Sequence, residues 1–374
     1  MVVAMDITFL GTSSAQPSST RNHQAMALRV NGDIWLFDCG EATQHQFQKS
    51  ALKMGRITKI FITHMHGDHC FGLAPLLCSM TDNLNPDNAS PSDAESPIEI
   101  YGPARLRHWL RTTLSSTYSH LGRCYRVHEL LGVDEVEEDA SLERHPQELP
   151  GINHRLDPVA TVSLGNKYTL TAASIQHSIP SLGFIIQEPP VPGNLDTRTI
   201  MPHLDRNAAA LHAQGIKQPK SLLGRLQRTG QPIELPDGTW LHPPAHKPGR
   251  QVVILGDTCD PSSLVPYCTS PHLLVHEATN ALTSLDEPDL TVEKVEERAR
   301  QHGHSTPQMA GAFAHRIAAK TLILTHFSAR YKGDRSDEAT KVMEEIRQLA
   351  LQPFGKDKDL YCARDLWTFD IKHR

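Results

Sequence analysis

Short apolar runs followed by a histidine or an aspartate recur along this chain. Runs of this length between polar residues are typical of buried β-strands. One run, at residues 59–63, leads directly into a string of four possible metal ligands, which are His64, His66, Asp68 and His69. Four further runs, at residues 168–175, 252–255, 273–275 and 322–324, are followed by His177, Asp257, His276 and His326, respectively. The pattern predicts strands that bring these side chains to one rim of the fold.

Helical patterns alternate with these strands. Threonine is a favoured N-cap and proline a favoured first helical residue, so Thr306 and Pro307 predict a helix start ahead of the small and apolar run at 309–320. Residues 105–114 and 337–351 are further predicted helices. A chain of 374 residues can form one large domain or two modest ones.

The residue types in the histidine string suit zinc. Zinc binds neutral imidazole and carboxylate oxygen at roughly 2.0–2.2 Å, and a catalytic site keeps one position open for water. His64 and His66 are two residues apart and can face one ion, whereas the adjacent Asp68 and His69 can turn to a neighbouring ion. Gly67 is predicted to allow the tight backbone of this loop. The string therefore predicts a site for two metal ions.

Two ions about 3.5–4 Å apart need a bridging ligand, and the two oxygens of a carboxylate suit that role. Asp257 is the candidate for the bridge. A lone His-x-His is common by chance in a chain with 22 histidines, and a single polar residue at a strand end is compatible with a capping or core role. The complete set fills two coordination spheres, which favours metal binding. We interpret His276 as a neighbour of the site and not as a ligand.

The metal residues resemble those of the metallo-β-lactamase superfamily, and further motifs resemble the short form of tRNase Z. These motifs run in the family's order between residues 7 and 331. They are Phe9-Leu10-Gly11-Thr12, Arg21-Asn22, Phe37-Asp38-Cys39-Gly40-Glu41-Ala42-Thr43, Phe71-Gly72-Leu73, His276-Glu277-Ala278-Thr279, Gly303-His304-Ser305-Thr306 and Thr325-His326-Phe327-Ser328. The resemblance implies an α/β fold, with one domain over residues 1–374 that forms a four-layer αββα metallo-β-lactamase sandwich. The two halves of the sandwich are expected to divide near residue 190.

The same resemblance implies a zinc-dependent endoribonuclease that removes the 3′ trailer from precursor tRNA and leaves a 3′ hydroxyl on the tRNA. By position, it implies two Zn²⁺ ions per subunit, although Mn²⁺ or another divalent ion can share such ligands. One ion is assigned to His64, His66 and His177, the other to Asp68, His69 and His326, and Asp257 is shared between them.

The resemblance also implies three catalytic residues. A metal-bound hydroxide attacks the scissile phosphorus, and Asp68 orients or deprotonates that water. His304, supported by Glu277, protonates the leaving ribose oxygen. A positioned acid contributes on the order of 10²–10⁴ in rate, and a neighbouring carboxylate keeps a histidine protonated.

The net charge of −5 by itself argues against an RNA partner, but the charge is unevenly distributed. Residues 206–233 contain no acidic residue, and screening over about 8–10 Å makes local charge count more than the total. The predicted RNA-binding residues in this segment are Lys217, Lys220, Arg225 and Arg228.

In short tRNase Z proteins a flexible arm that grips the tRNA elbow is inserted here, and the resemblance places it at residues 189–250. Residues 189–193 and 215–224 are its predicted turning regions. The family's arm has a Gly-Pro-rich turn that ends in Tyr-Gly, and this chain departs from it at residues 218–224. An ordinary solvated linker is the alternative. Residues 81–97 and 134–158 are polar, follow no helical or strand period, and are predicted surface loops.

Seven cysteines without a Cys-x-x-Cys pair are typical of reduced thiols. No apolar run reaches 18 residues and no signal peptide is visible, so we expect a cytoplasmic protein without membrane contact. A nuclear pool is compatible with the same sequence. The resemblance implies a homodimer in which the arm of one subunit holds the tRNA that the other cuts.

Two rival functions start from the same residues. A small-ester hydrolase of the same superfamily would use the same metals, but a small substrate needs no basic insertion to grip it from a distance. A noncatalytic RNA-binding relative would have lost metal ligands, whereas all seven positions are present.

Overall fold

The computed structural model of this protein describes residues 4–80, 96–136, 143–191 and 193–373. The chain forms two compact units. The first combines Met1–Gln187 with Arg250–Arg374, and the second is Glu188–Gly249. Every predicted metal ligand and catalytic residue belongs to the first unit.

One sheet of the first unit is built mainly from the N-terminal half of the chain. Its strands are β1 (Met5–Gly11), β3 (Ala25–Val30), β4 (Asp33–Phe37), β5 (Ile57–Phe61), β6 (Ile98–Gly102), β7 (Tyr125–Leu131), β8 (Glu148–Leu149), β9 (His154–Arg155) and β20 (Trp367–Asp370). The spatial order is β20-β1-β3-β4-β5-β6-β7-β8, with β9 also paired to β7. Strands β4 to β7 run parallel, so the loop that follows β5 emerges at the carboxyl ends of this group.

The second sheet contains the strands that precede the remaining predicted ligands. Its strands are β10 (Val159–Gly165), β11 (Tyr168–Ile175), β12 (Ser181–Gln187), β15 (Gln251–Leu255), β16 (Leu273–Glu277), β17 (Thr321–Thr325) and β19 (Asp359–Cys362), in that spatial order. Strands β15, β16, β17 and β19 are parallel. Their carboxyl ends therefore lie at one edge of the sheet. A short parallel pair joins β2 (Ser13–Ser14) to β18 (Phe327–Ser328) beside that edge.

Helices cover the outer face of each sheet. The helices of this unit are α1 (Thr43–Lys49), α2 (Gly67–Cys70), α3 (Leu73–Ser79), α4 (Leu106–Ser116), α8 (Val292–Gln301), α9 (Pro307–Arg316) and α10 (Asp337–Phe354). Alternate residues of a strand face opposite sides of its sheet. In β4, Trp35 and Phe37 pack into the core between the sheets, whereas Ile34 and Leu36 pack into the core beneath α1, α3 and α4. A third core lies between the second sheet and helices α9 and α10.

These three cores separate four layers, so the predicted αββα sandwich is confirmed. Its two halves divide between Arg155 and Val159, where the first sheet gives way to β10. The expected division near residue 190 was therefore wrong, because the hairpin β10–β11 and strand β12 pair directly with β15 of the second sheet.

The second unit contains helices α5 (Thr197–Arg206), α6 (Ala208–Ala213) and α7 (Ser221–Thr229), followed by the hairpin β13 (Ile233–Glu234) and β14 (Trp240–Leu241). Its own core consists of buried leucines, which are Leu204, Leu211, Leu222, Leu226, Leu235 and Leu241. Gly224 lies inside α7 and not in a turn, because Leu222 and Leu226 on either side of it are both buried in this core. The turn predicted at 215–224 therefore ends before Ser221.

Several predicted element boundaries move by a few residues. The helix that starts at Pro307 ends at Arg316, ahead of the predicted residue 320, because Ala318 adopts a left-handed φ of 52°. The helix predicted at residues 337–351 extends to Phe354 and ends before Gly355. Residues 148–149 and 154–155 form β8 and β9 inside a predicted loop. Most of the other predicted loop, at residues 81–95, lies outside the described residues.

Candidate metal centre

The seven predicted ligands converge between the two sheets. His64, His66, Asp68 and His69 follow β5 of the first sheet, whereas His177, Asp257 and His326 follow β11, β15 and β17 of the second. Their ligand atoms form two groups, each with all atoms within 4.8 Å of one another. The first group is His64, His66, His177 with Asp257, and the second is Asp68, His69 with His326. A further group, which overlaps both, joins His304 to Asp257 and His326.

Hydrogen bonds at Nδ1 orient the imidazoles of the first group. His177 Nδ1 donates to the Gly303 carbonyl at 2.7 Å. Thr63 Oγ1 donates its proton to Asp38 and so accepts from His64 Nδ1 at 2.9 Å. Both rings therefore present the Nε2 lone pair to the site, which is how a second layer of partners fixes metal-binding histidines. His66 differs, because its Nδ1 faces the other two rings, 3.2 Å from His64 Nε2.

The second group has the same arrangement. His69 Nδ1 donates to Asp38 Oδ2 at 2.7 Å, and His326 Nδ1 lies 3.0 Å from Thr279 Oγ1, whose own proton goes to Glu277. The two Nε2 atoms of His69 and His326 are consequently only 3.0 Å apart. Two lone pairs at that distance repel each other unless a proton or a cation lies between them. The donor set fits zinc, which takes imidazole nitrogen and carboxylate oxygen.

Burial and neighbouring charges shift the pKa values of these groups in different directions. Burial lowers the pKa values of His64 and His177, which leaves them neutral and able to coordinate. Burial also acts to lower the pKa of His69, but Asp257 and Asp38 outweigh it and raise that pKa well above its ordinary value. Burial raises the pKa of Asp257, yet the surrounding histidines reverse this and hold it well below the ordinary value.

Asp257 lies between the two groups. Its Oδ2 is 3.7 Å from His64 Nε2 and 3.3 Å from His326 Nε2, and its Oδ1 is 3.5 Å from His69 Nε2. The carboxylate therefore approaches ligands of both groups. The Gly256 backbone before it leaves no room for a side chain, because a Cβ there would lie 2.6 Å from Thr63 Cβ.

Asp68 is held by a backbone amide from a separate loop. The Ala15 N–H donates to Asp68 Oδ2 at 2.7 Å, and the same oxygen lies 3.3 Å from His326 Nε2. Burial raises the pKa of Asp68, but the hydrogen bond and charge of His326 and the charge of His69 reverse this, so the carboxyl stays ionised. An ionised carboxylate at this position can accept a proton from water.

The partly exposed His304 pairs with the buried Glu277 beside the ligands. His304 Nδ1 lies 3.1 Å from Glu277 Oε1 and 3.7 Å from Asp257 Oδ2. The Glu277 carboxylate is held in turn by the Thr258 N–H at 2.7 Å. Because Nδ1 donates to Glu277, Nε2 is the atom of His304 that can face a substrate. Burial acts to lower the pKa of His304, but Glu277 outweighs it and raises that pKa to about 9.

Three residues that hydrogen-bond around the site, Asp38, Thr63 and Thr279, were given no role from the sequence. Asp38 accepts from His69 Nδ1 and from both Thr63 N and Thr63 Oγ1, and Thr279 accepts from His326. Asp38 does follow the apolar run at 34–37, so the pattern that found the ligands could have found it. Asp38, His326 and Ala15 adopt left-handed φ angles of 57°, 57° and 56°, which are uncommon for these residue types and cluster here.

His276 belongs to a different environment. It lies within β16, Nδ1 donates to the Glu277 carbonyl at 2.8 Å, and its ring contacts the Phe313 ring with centroids 6.0 Å apart. It is in none of the ligand groups that the described residues form. Of the cysteines near the ligands, Cys70 and Cys259 also stay outside the groups that the described residues form.

The four predicted RNA-binding residues are on the second unit, in α7 and the turn before it. Lys217, Lys220, Arg225 and Arg228 are all exposed. Arg206 at the end of α5 instead pairs with Asp237 at 2.8 Å. Across the described part of the chain, no helix is both long enough and apolar enough to span a membrane.

Comparison with known proteins places this site in a family. A protein-family model described as "Anti-Pycsar protein Apyc1" matches residues 5–189. Zinc phosphodiesterase ELAC protein 1 of Bos taurus is 39% identical over 367 residues, which cover 92% of this chain and 93% of that protein. Ribonuclease Z of Shouchella clausii is 34% identical over 378 residues, which cover 98% of this chain and 97% of that protein.

A solved structure agrees with these relatives. The crystal structure of human tRNase Z, short form, matches with a TM-score of 0.62 and 32% identity, over 99% of this chain and 100% of that one. The relatives exceed 30% identity over almost the whole chain, and their sandwich fold is the one described above. The chain belongs to the ribonuclease Z family, as a short-form tRNase Z-like hydrolase with the metallo-β-lactamase fold.

Proposed function

We propose that this protein is a zinc-dependent endoribonuclease that removes the 3′ trailer from precursor tRNA and leaves a 3′ hydroxyl on the tRNA. The observation that carries the proposal is that His304, held by Glu277, lies beside two groups of candidate metal-ligand atoms. Cleavage of a phosphodiester with a poor leaving oxygen uses metal ions to activate the water and an acid to protonate that oxygen. Membership of the ribonuclease Z family supports the choice of substrate.

Two zinc ions are proposed for the site. His64, His66 and His177 would hold one ion, Asp68, His69 and His326 the other, and Asp257 would serve both. When bound, such ions activate a water molecule as nucleophile and neutralise charge on the attacked phosphate. Mn²⁺ is compatible with the same ligands.

The residues of the chain then move two protons. The ionised Asp68, fixed by the Ala15 N–H, orients the attacking water and accepts its proton. A bond forms from the water oxygen to phosphorus, and the bond from phosphorus to the ribose 3′ oxygen breaks. His304 donates the Nε2 proton to that leaving oxygen, while Glu277 stabilises the protonated ring through Nδ1. The phosphate stays on the trailer, and the tRNA ends in a hydroxyl.

The second unit is proposed as the tRNA-binding arm, over residues 189–250. Lys217, Lys220, Arg225 and Arg228 are exposed, and the leucine core behind α7 supports the helix that carries two of them. Phosphate oxygens are the partners that such a basic surface fits. None of the four has an ion-pair partner within the part of the chain that the structure describes.

A homodimer in the cytoplasm is the proposed state of the protein. The dimer rests on the family, and sedimentation should give about twice the 41.5 kDa of one chain. A monomer mass would exclude it. The seven cysteines are thiols outside any disulfide, which is typical of a reducing compartment such as the cytoplasm, and a nuclear pool is compatible with this.

The proposed function is tested with zinc-loaded protein, a 3′-extended precursor tRNA and an unstructured RNA of equal length. We expect a single cut at the base of the acceptor stem, a 3′ hydroxyl on the tRNA product, and no cut in the control RNA. Hydrolysis of bis(p-nitrophenyl) phosphate without cleavage of either RNA would reject this substrate and favour a small-ester hydrolase.

A further inference from the structure

An exposed aromatic side chain lies next to the candidate metal centre and has no part in the steps above. Phe71 directly follows α2, two residues after His69, and 60% of its surface is exposed. Its ring stacks on Trp109 of α4, with centroids 6.5 Å apart and planes at 20°. Trp109 packs on the core beneath the helices, so the exposed ring rests on a fixed support.

The ring of Phe71 lies directly over Gly67 of the candidate metal-binding loop. A Cβ on Gly67 would lie 2.3 Å from Phe71 Cε2 and within 2.7 Å of two further ring atoms. The backbone of Gly67 is not left-handed, so glycine is not needed there for the turn that the sequence suggested. The missing side chain instead makes room for the phenyl ring.

The neighbours of Gly67 define what this ring faces. Gly67 lies between His66 and Asp68, and both of these ligand residues are only partly buried, in contrast to the fully buried His64 and His69. The ring therefore lies over the loop beside the ligands that are accessible from solvent. A substrate that reaches Asp68 passes next to a flat apolar surface.

We propose that Phe71 is a positioning residue that stacks on one nucleobase beside the scissile phosphate. This inference rests on the proposed function, because it assumes an RNA substrate. Every base has a π-face, so an exposed ring can hold a nucleotide without reading its identity. The ring rests beside Trp109 and over Gly67, so its exposed part is available to one base on the substrate strand. Phe71 would thereby help to align the phosphate with the water that Asp68 orients.

The test combines variants of Phe71 with substrates that lack one base. Phe71→Leu keeps an apolar side chain but removes the ring, and Phe71→Trp keeps a ring. With an intact precursor tRNA, Phe71→Leu should lower kcat/KM by roughly 5- to 150-fold, the loss expected for one stacked base, and Phe71→Trp should restore most of it. A series of precursors then carries an abasic nucleotide at each of the three positions on either side of the cut.

At one abasic position the wild-type rate should fall by a similar factor, and Phe71→Leu should have no additional effect. At the other positions, the variant should lose as much as on the intact substrate. Tyr118→Ala, which removes an exposed aromatic ring from the turn after α4, is the control and should cleave every substrate as the wild type does.

Three results would overturn the inference while leaving the proposed function in place. These are a Phe71→Leu variant that cuts at the wild-type rate, a loss of equal size at all six abasic positions, and a loss accompanied by lower zinc content or by a change in sedimenting mass. A wild-type protein that cuts no precursor tRNA would remove the proposed function, and the inference with it.

Discussion

His304 is the residue whose protonation state most directly controls the proposed reaction. As the acid, it must carry a proton, so kcat should decrease as the pH rises through its pKa. Burial acts to lower that pKa, and Glu277 raises it to about 9. Two bound cations would repel the charged ring and lower the value from there. We therefore expect the alkaline limb of the pH profile above the ordinary histidine value of about 6.5 and below about 9.

The variant His304→Ala should lower kcat on the order of 10²–10⁴-fold near neutral pH and lose this alkaline limb. Zinc content, measured on the same samples, should be unchanged. His302→Ala is the matched control, because it removes an exposed histidine two residues away. Loss of zinc from His304→Ala would instead make His304 a ligand, as its 3.7 Å separation from Asp257 Oδ2 allows.

Residue types along the chain predicted which side chains gather at this candidate site, but they did not predict which of their atoms face its centre. His64, His69, His177 and His326 present Nε2 only because Thr63, Asp38, Gly303 and Thr279 occupy Nδ1. Three of these partners are far from their histidines along the chain. Gly67 was interpreted as a backbone requirement, whereas the structure assigns it to the ring of Phe71.

At the scale of elements, strands were easier to predict than the inserted segment. The run at 168–175 coincides with β11, because its apolar residues pack in the cores on both sides of the second sheet. The segment at 206–233 was identified by its charge, and its helices were not expected. Helix α7 has only two buried residues, Leu222 and Leu226, and a stripe this short is a weak signal for a helix.

Helix α7 and the turn before it carry the charges that the proposed tRNA contact requires. Changing Lys217, Lys220, Arg225 and Arg228 together to Gln should weaken binding of precursor tRNA and reduce the steepness of its salt dependence. Each lost phosphate contact lowers the slope of log K against log salt by roughly 0.7–0.9. Hydrolysis of bis(p-nitrophenyl) phosphate should be unaffected.

The matched control changes four exposed lysines of the first unit, Lys53, Lys341, Lys356 and Lys372, to Gln. The control has the same net charge as the α7 variant. Equal weakening of tRNA binding in both would mean that total charge matters and that the second unit makes no local contact. Loss of small-ester hydrolysis in the α7 variant would mean that its residues support the fold.

At the scale of the whole molecule, the candidate metal centre joins the two halves of the sandwich. Four ligands follow β5 of the first sheet and three follow strands of the second. Ions bound only by the folded state add about 2.7 kcal/mol at 100 times the Kd, so a chelator should lower Tm by on the order of 5 °C. Differential scanning calorimetry of zinc-loaded and chelated protein measures this.

Asp257→Ala should lower the zinc content, abolish RNA cleavage and remove the response of Tm to the chelator, because this carboxylate approaches ligands of both groups. Asp260→Ala, three residues further on at an exposed position, should behave as the wild type. Full activity of Asp257→Ala with one zinc per chain would contradict the bridging role.

The sequence by itself determined the string of candidate ligands, the strands that lead to the other candidate ligands, and the family. These features are local, since a hydrophobic period and a ligand spacing each depend on a few consecutive residues. Only the tertiary structure decided how the ligands are oriented and where Phe71 lies. Asp38 contacts His69, Thr279 contacts His326, and Trp109 contacts Phe71 only because the fold brings distant segments together. Such contacts have no characteristic spacing in the sequence from which they could be predicted.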